Sequence, residues 1–263
     1  MTESNDNSEV SKPSLLWLAT EPQRALIEYG LSIPYKLWAS RKTTGDGHPV
    51  LVLPGFMATD RSTAPLRRHI DSIGYQTYGW DIGRNFGKEE YINKLSEKIK
   101  HIQALHDEQV SLIGWSLGGV FARQLAKETP HLIRQVITLG SPFRNVMESN
   151  NASWIHQILR GGKNVSAADE ELLADLPIPA PVPTTAIYTK EDGVVPWQYC
   201  LEAVETELHQ NIQVRGSHIG LGFNAAVLQI ITERLTQTRY DWKKYEPQSS
   251  FEDRLILPTL RTT

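Results

Sequence analysis

This sequence predicts an α/β domain, a mostly parallel sheet with helices on both faces, and three observations carry that prediction. Short β-branched or apolar runs alternate with stretches whose apolar residues recur every three or four positions, the pattern of parallel strands joined by crossover helices. The chain has 263 residues, enough for one large core, and no shift in composition marks a second domain. One strand-to-helix junction reads Gly114-Trp115-Ser116-Leu117-Gly118-Gly119, a serine set between glycines where the chain must turn sharply.

The elements follow in order. Residues 1–12 are polar and acidic and predict a disordered tail. They lack the basic start and apolar core of a secretory leader, so the cytoplasm is the expected location. Residues 14–38 are rich in leucine, isoleucine and aromatic residues, but Glu21, Arg24, Glu28 and Lys36 interrupt them too often for a membrane span. Packing on the protein's own body is expected there, with peripheral contact at a lipid surface as the alternative that the aromatic residues suit. Residues 49–53 form the first strand, ending at Pro54-Gly55. A helix begins after Thr59 with Asp60 or Ser62 as its cap. Residues 75–80 alternate as a strand, and 89–105 place Ile92, Leu95, Ile99, Ile102 and Leu105 at helical intervals.

Val110, Leu112 and Ile113 read as a buried strand before the glycine-flanked serine, and Val120, Phe121, Leu125 and Ala126 as a helix after it. Residues 133–139 are the next strand. From 143 to 183 the pattern lapses into helical pieces at 154–159 and 167–176, an insertion at the end of the sheet where a lid would sit. Pro177, Pro179, Pro181 and Pro183 then favour an extended return path. Strands at 184–189 and 211–214 and a helix at 220–235 complete one domain over 13–245, followed by a tail over 246–263.

Charge and cysteine usage narrow the function. With 27 basic and 30 acidic residues the net charge is −3, which leaves no electrostatic footprint for nucleic acid. The single cysteine, Cys200, excludes an intramolecular disulfide and disfavours a cysteine-built metal site.

The junction at Ser116 has the sequence of a nucleophile elbow. Gly114 and Gly118 are bare where strand and helix backbones pass each other, and the turn lifts the serine hydroxyl clear of the sheet. The motif alone also fits a glycine-rich turn; its strand–turn–helix setting favours the elbow. A serine hydroxyl needs a histidine to take its proton and an acid to hold that histidine. In this architecture the acid and then the histidine follow the serine along the chain, each on a loop after a strand. Asp192, in Lys190-Glu191-Asp192-Gly193, follows the strand at 184–189 and fits the acid, with Glu191 as the neighbouring alternative. Asp169, Glu170 and Asp175 fall in the insertion and read as solvated. His218, in Gly216-Ser217-His218-Ile219-Gly220, follows the strand at 211–214 and fits the base; His209 is the other histidine beyond Asp192. The oxyanion donors are expected at the N–H of Leu117 and at the loop after the first strand, where Phe56 is the first choice and Met57 the fallback.

On these residues the chain resembles the α/β-hydrolase superfamily, and within it bacterial lipase- and esterase-like members, over residues 49–235. The resemblance implies a serine hydrolase that cleaves small-molecule or lipid esters through an acyl-enzyme, with no metal or organic cofactor. Ser116, Asp192 and His218 match the nucleophile, acid and base. An acyltransferase with the same triad and a non-catalytic protein of the same fold are the competing readings. Met57, Trp115, Phe143, Trp154 and Trp197 are expected near an apolar acyl chain. Two departures stand out. Pro54-Gly55 replaces the His-Gly of many relatives, and no antiparallel strands precede residue 49, where the sequence looks helical. The segment Gly83-Arg84-Asn85-Phe86-Gly87 reads as a glycine-bounded turn without an assigned chemical role.

Overall fold

The computed structural model describes residues 13–42, 45–144, 174–247 and 256–257. Most of the 143–183 insertion, Trp154 with it, and the 1–12 tail lie outside the described residues. The elements are α1 (Leu15–Lys42), β1 (Pro49–Leu53), α2 (Asp60–Ser72), β2 (Gln76–Tyr78), α3 (Glu90–His106), β3 (Val110–Trp115), α4 (Leu117–Glu128), β4 (Ile133–Leu139), β5 (Thr184–Tyr188), β6 (His209–Val214), α5 (Ala225–Leu235) and β7 (Ile256–Leu257). They build one sheet in the order β2-β1-β3-β4-β5-β6-β7, parallel except for β7, which pairs antiparallel with β6.

Every residue of β1, β3, β4 and β5 is buried, because crossover helices cover both faces and leave the strands no solvated side. Successive residues of β1 serve opposite layers. Leu51 and Leu53 pack with α3 and α4, whereas Val50 and Val52 pack with α2 and α5. The carboxyl ends of the parallel strands gather the loops after β1, β3, β4, β5 and β6 at one edge, where ligands bind in open α/β sheets.

Among the described residues the expected strands and helices are present, the 184–189 strand ending at Tyr188 and the 211–214 strand starting at His209, while the helical piece expected at 154–159 and most of that at 167–176 lie outside them; further local differences stand out. Thr59, not Asp60 or Ser62, caps α2, its hydroxyl accepting from Arg61 N–H at 3.4 Å. Asp60 instead accepts from Trp80 N–H (2.8 Å) and Asp81 N–H (3.0 Å). That diverts the backbone from the ladder and shortens the expected 75–80 strand to β2. The expected 220–235 helix is split into a 3-10 turn, Ile219–Gly222, and α5, because the Asn224 side chain accepts from Ala226 N–H (2.9 Å) and caps a fresh helix. Finally, two residues of the expected C-terminal tail join the sheet as β7. Before β1 the chain is helical, as its sequence suggests. No described helix is long and apolar enough to cross a membrane.

Candidate active site

The β3–α4 junction is a strained turn. Ser116 has φ +52° and ψ −124°, a region L-residues seldom occupy and one that costs on the order of 1–3 kcal/mol. The glycines make it sterically feasible: a Cβ on Gly114 would lie 2.3 Å from Gly119 Cα, and one on Gly118 would lie 2.2 Å from Leu53 O. Ser116 N–H donates to Leu139 O at 2.8 Å, tying the turn to the end of β4. The side chain is partly exposed.

Across from it runs the loop after β1. A Cβ on Gly55 would sit 3.2 Å from Ser116 Cβ, a tight contact that glycine avoids as the loop approaches the serine. Met57 N–H donates to Asn85 O (2.7 Å) and is committed there. Phe56 N–H has no acceptor among the described residues. Leu117 N–H belongs to the first turn of α4, whose donors lack intrahelical partners. Asn85, fully buried, explains the 83–87 segment. Its Nδ2 donates to Pro54 O (2.8 Å), its N–H donates to Ala58 O (2.9 Å), and its Oδ1 accepts from Gly87 N–H (2.9 Å). Arg84 Nη1 adds a bond to Met57 O (2.8 Å). The segment is a brace that fixes the loop facing Ser116.

On the other side, His218 Nδ1 and Asp192 Oδ2 are 2.6 Å apart, both buried. Asp192 Oδ1 also accepts from Val194 N–H (2.8 Å) and Val195 N–H (2.6 Å), which orients the carboxylate. Glu191, the alternative acid, accepts from Gly216 N–H (3.1 Å) instead. His209 is engaged by Thr206 Oγ1 (2.7 Å) and Ala180 O (2.9 Å). The His218 ring lies over Gly140, where a Cβ would approach its Nδ1 to 3.1 Å. Gly140 follows Leu139, the residue that accepts from Ser116 N–H, so the serine turn and the imidazole both border the end of β4. Burial pushes the His218 pKa down, but the Asp192 charge and hydrogen bond, with the Glu21 charge, outweigh it and leave it raised above 6.5.

That glutamate comes from α1 and was not anticipated as a site residue. Glu21 Oε1 accepts from Gly193 N–H (2.9 Å) and His218 N–H (3.0 Å), and Oε2 from Ile219 N–H (2.9 Å). Arg24 Nη2 donates to Oε1 as well (2.9 Å). One buried carboxylate thereby ties the loop of Asp192 to the loop of His218. Seven residues on, Glu28 accepts from Ser217 N–H (2.8 Å) and Asn224 Nδ2 (2.9 Å). The trace in the sequence is a stripe of Glu21, Ala25, Glu28, Ser32 and Ala39, small or acidic residues at helical spacing within a leucine-rich segment.

The residues expected along an acyl chain are dispersed. Trp115 is buried and its Nε1 donates to His218 O (3.1 Å). Phe143 is fully buried beneath the Arg123 guanidinium, 3.7 Å from its ring centroid. Trp197 stacks on Tyr188 with centroids 5.7 Å apart. Met57 is half exposed on the loop facing Ser116, at φ +59°. Asp175, expected to be solvated, accepts from Lys127 Nζ at 2.9 Å.

A parallel sheet with a strained serine turn, and a paired acid and histidine on later strand loops, places the chain in a recognisable class. The sequence profile of the alpha/beta hydrolase fold matches residues 48–177, and the chain belongs to the α/β-hydrolase superfamily. Among curated proteins it is 28% identical over 127 residues to the serine hydrolase BPHL of Mus musculus, covering 44% of this chain and 43% of that protein. It is 27% identical over 108 residues to the pimeloyl-[acyl-carrier protein] methyl ester esterase of Aliivibrio salmonicida, covering 41% of each. The chain thus matches less than half the length of these relatives. Among solved structures, one of the metagenome-derived lipolytic enzymes LipS and LipT shares its fold, with TM-score 0.55 at 16% identity, covering 73% of this chain and 93% of that one.

Proposed function

We propose that this protein is a serine hydrolase that cleaves carboxylic esters through an acyl-enzyme. The observation that carries the reading is the Asp192–His218 pair, 2.6 Å apart, set at the strand end that also anchors the strained Ser116. In this mechanism His218 Nε2 takes the hydroxyl proton as Ser116 Oγ attacks the ester carbonyl carbon. The N–H groups of Phe56 and Leu117 receive the oxyanion of the tetrahedral intermediate. Collapse breaks the ester C–O bond, and the alcohol leaves with the proton that His218 carries. Water then repeats the sequence on the acyl-enzyme and releases the acid. Asp192 holds the Nδ1–H tautomer and stabilises the imidazolium. The raised His218 pKa suits a base that must accept a proton and return it in each half-reaction.

The relatives support this class: one is named a serine hydrolase and another a methyl ester esterase. No step calls for a metal or an organic cofactor. The test is labelling with a fluorophosphonate and hydrolysis of a graded p-nitrophenyl ester panel by the wild type and Ser116→Ala. The variant is expected to lose labelling and roughly a million-fold in kcat, as in another serine enzyme. Retention of either by Ser116→Ala would reject the assignment.

A further inference from the structure

We propose that the outward face of α1 docks on an anionic lipid surface. Surface helices ordinarily turn their apolar stripe to the core; α1 does the reverse. Its inward positions include Glu21, Ala25, Ser32 and Ala39, all buried. Its outward positions include Leu15, Leu16, Leu26, Ile27, Leu31 and Leu37, exposed by 81%, 68%, 73%, 61%, 69% and 58%. A contiguous apolar strip of this kind marks an interaction site on a folded protein.

The charge pattern selects the occupant. Both acidic residues of α1, Glu21 and Glu28, are spent on backbone and side-chain donors of the loops beneath. The exposed residues of the helix therefore carry no carboxylate, and the charge among them is cationic at Arg41. Lys36 stands beside exposed Arg68 of α2 at the same end. A second copy of this face would offer these cations no exposed carboxylate. An anionic headgroup layer would pair them and let the leucines enter the acyl boundary, as interfacial helices do. Because α1 also holds the loops of Asp192 and His218, docking would keep those loops at the bilayer.

The test uses the full chain and extruded vesicles, either phosphatidylcholine alone or phosphatidylcholine with phosphatidylglycerol, read by co-sedimentation. The wild type is expected to bind the anionic vesicles, more weakly as salt is raised. Leu26→Glu with Leu31→Glu is expected to lower that affinity by at least about ten-fold. Both side chains are exposed, so the melting temperature should hold. Should the double variant fail to fold, Arg41→Glu replaces it, expected to weaken binding to anionic vesicles while leaving phosphatidylcholine unaffected. The proposal is overturned if the wild type sediments with neither vesicle, or if the folded variants bind as well as wild type. It is equally overturned if the wild type is a dimer in solution that the leucine substitutions dissociate, since the occupant is then a second copy.

Discussion

The molecule holds two sets of serine, histidine and aspartate residues, at opposite ends of the sheet. At the amino end, Ser111 Oγ lies 2.8 Å from His48 Nε2, and His48 Nδ1 lies 2.6 Å from Asp46 Oδ1. At the carboxyl end stand Ser116, His218 and Asp192. The first set has the better-defined hydrogen-bond chain and nothing else. Ser111 is fully buried inside a regular strand, with no turn to lift its hydroxyl out. Burial and the neighbouring Arg134 charge hold the His48 pKa down at about 4, despite the opposing pull of Asp46. The second set has a strained, partly exposed serine, nearby backbone donors and a histidine whose pKa is raised. The difference teaches that a relay of side chains is not a site. Access, a projecting turn, and surroundings that favour the imidazolium separate a candidate active site from a buried polar bridge.

The largest expected effect breaks this comparison directly. Ser116→Ala should abolish turnover, whereas Ser111→Ala should leave kcat and KM unchanged. Ser111→Ala should instead lower stability by about 1–3 kcal/mol, because buried His48 loses its partner; urea denaturation beside an ester assay separates the two outcomes. Equal losses of turnover would erase the distinction between the two sets.

Next in size is acid sensitivity. His48 is held neutral in the folded protein down to about pH 4, while in the unfolded chain it protonates near 6.5. Between those values the unfolded state binds more protons, so stability falls as pH drops from 6.5 towards 4, by on the order of 3 kcal/mol from this residue. Denaturant midpoints of the wild type and His48→Gln across that window measure the contribution, which the variant should lack.

A smaller effect sharpens the account of the carboxyl-end set. Glu21→Gln keeps the shape of the clamp but removes a charge that raises the His218 pKa. The acid limb of the kcat/KM profile should then move to lower pH. Turnover at its plateau should fall about ten- to a hundred-fold as the two loops lose a charged acceptor, a cost of roughly 1.4–3 kcal/mol. Glu21→Asp, which restores the charge, should recover the limb's position. A lower melting temperature with an unmoved limb would reduce Glu21 to a structural tie.

How much of this was legible before folding follows from the range of each interaction. The strands at 49–53 and 133–139, the strand expected at 184–189 to within one residue, and the turn at Ser116 were readable because β-branched runs, helical periodicity and bare glycines act over a few residues. The placing of Ser116, Asp192 and His218 on loops after β3, β5 and β6 was readable because strand-end loops succeed one another along a parallel sheet. Asn85 was not, since its role depends on a loop some thirty residues upstream meeting it in space. The break before α5 was hidden because the apolar period runs on past the capping side chain of Asn224.

The orientation of α1 is the clearest division between what local pattern specifies and what packing settles. Its sequence dictates a helix with a leucine-rich face and a face of small and acidic residues; nothing nearby in the chain says which face turns inward. That choice was made by unpaired N–H groups on the Gly193 and His218 loops, the latter 197 residues away from Glu21. In the folded state those donors need a buried acceptor, a demand that draws the acidic face in and sends the leucines outward.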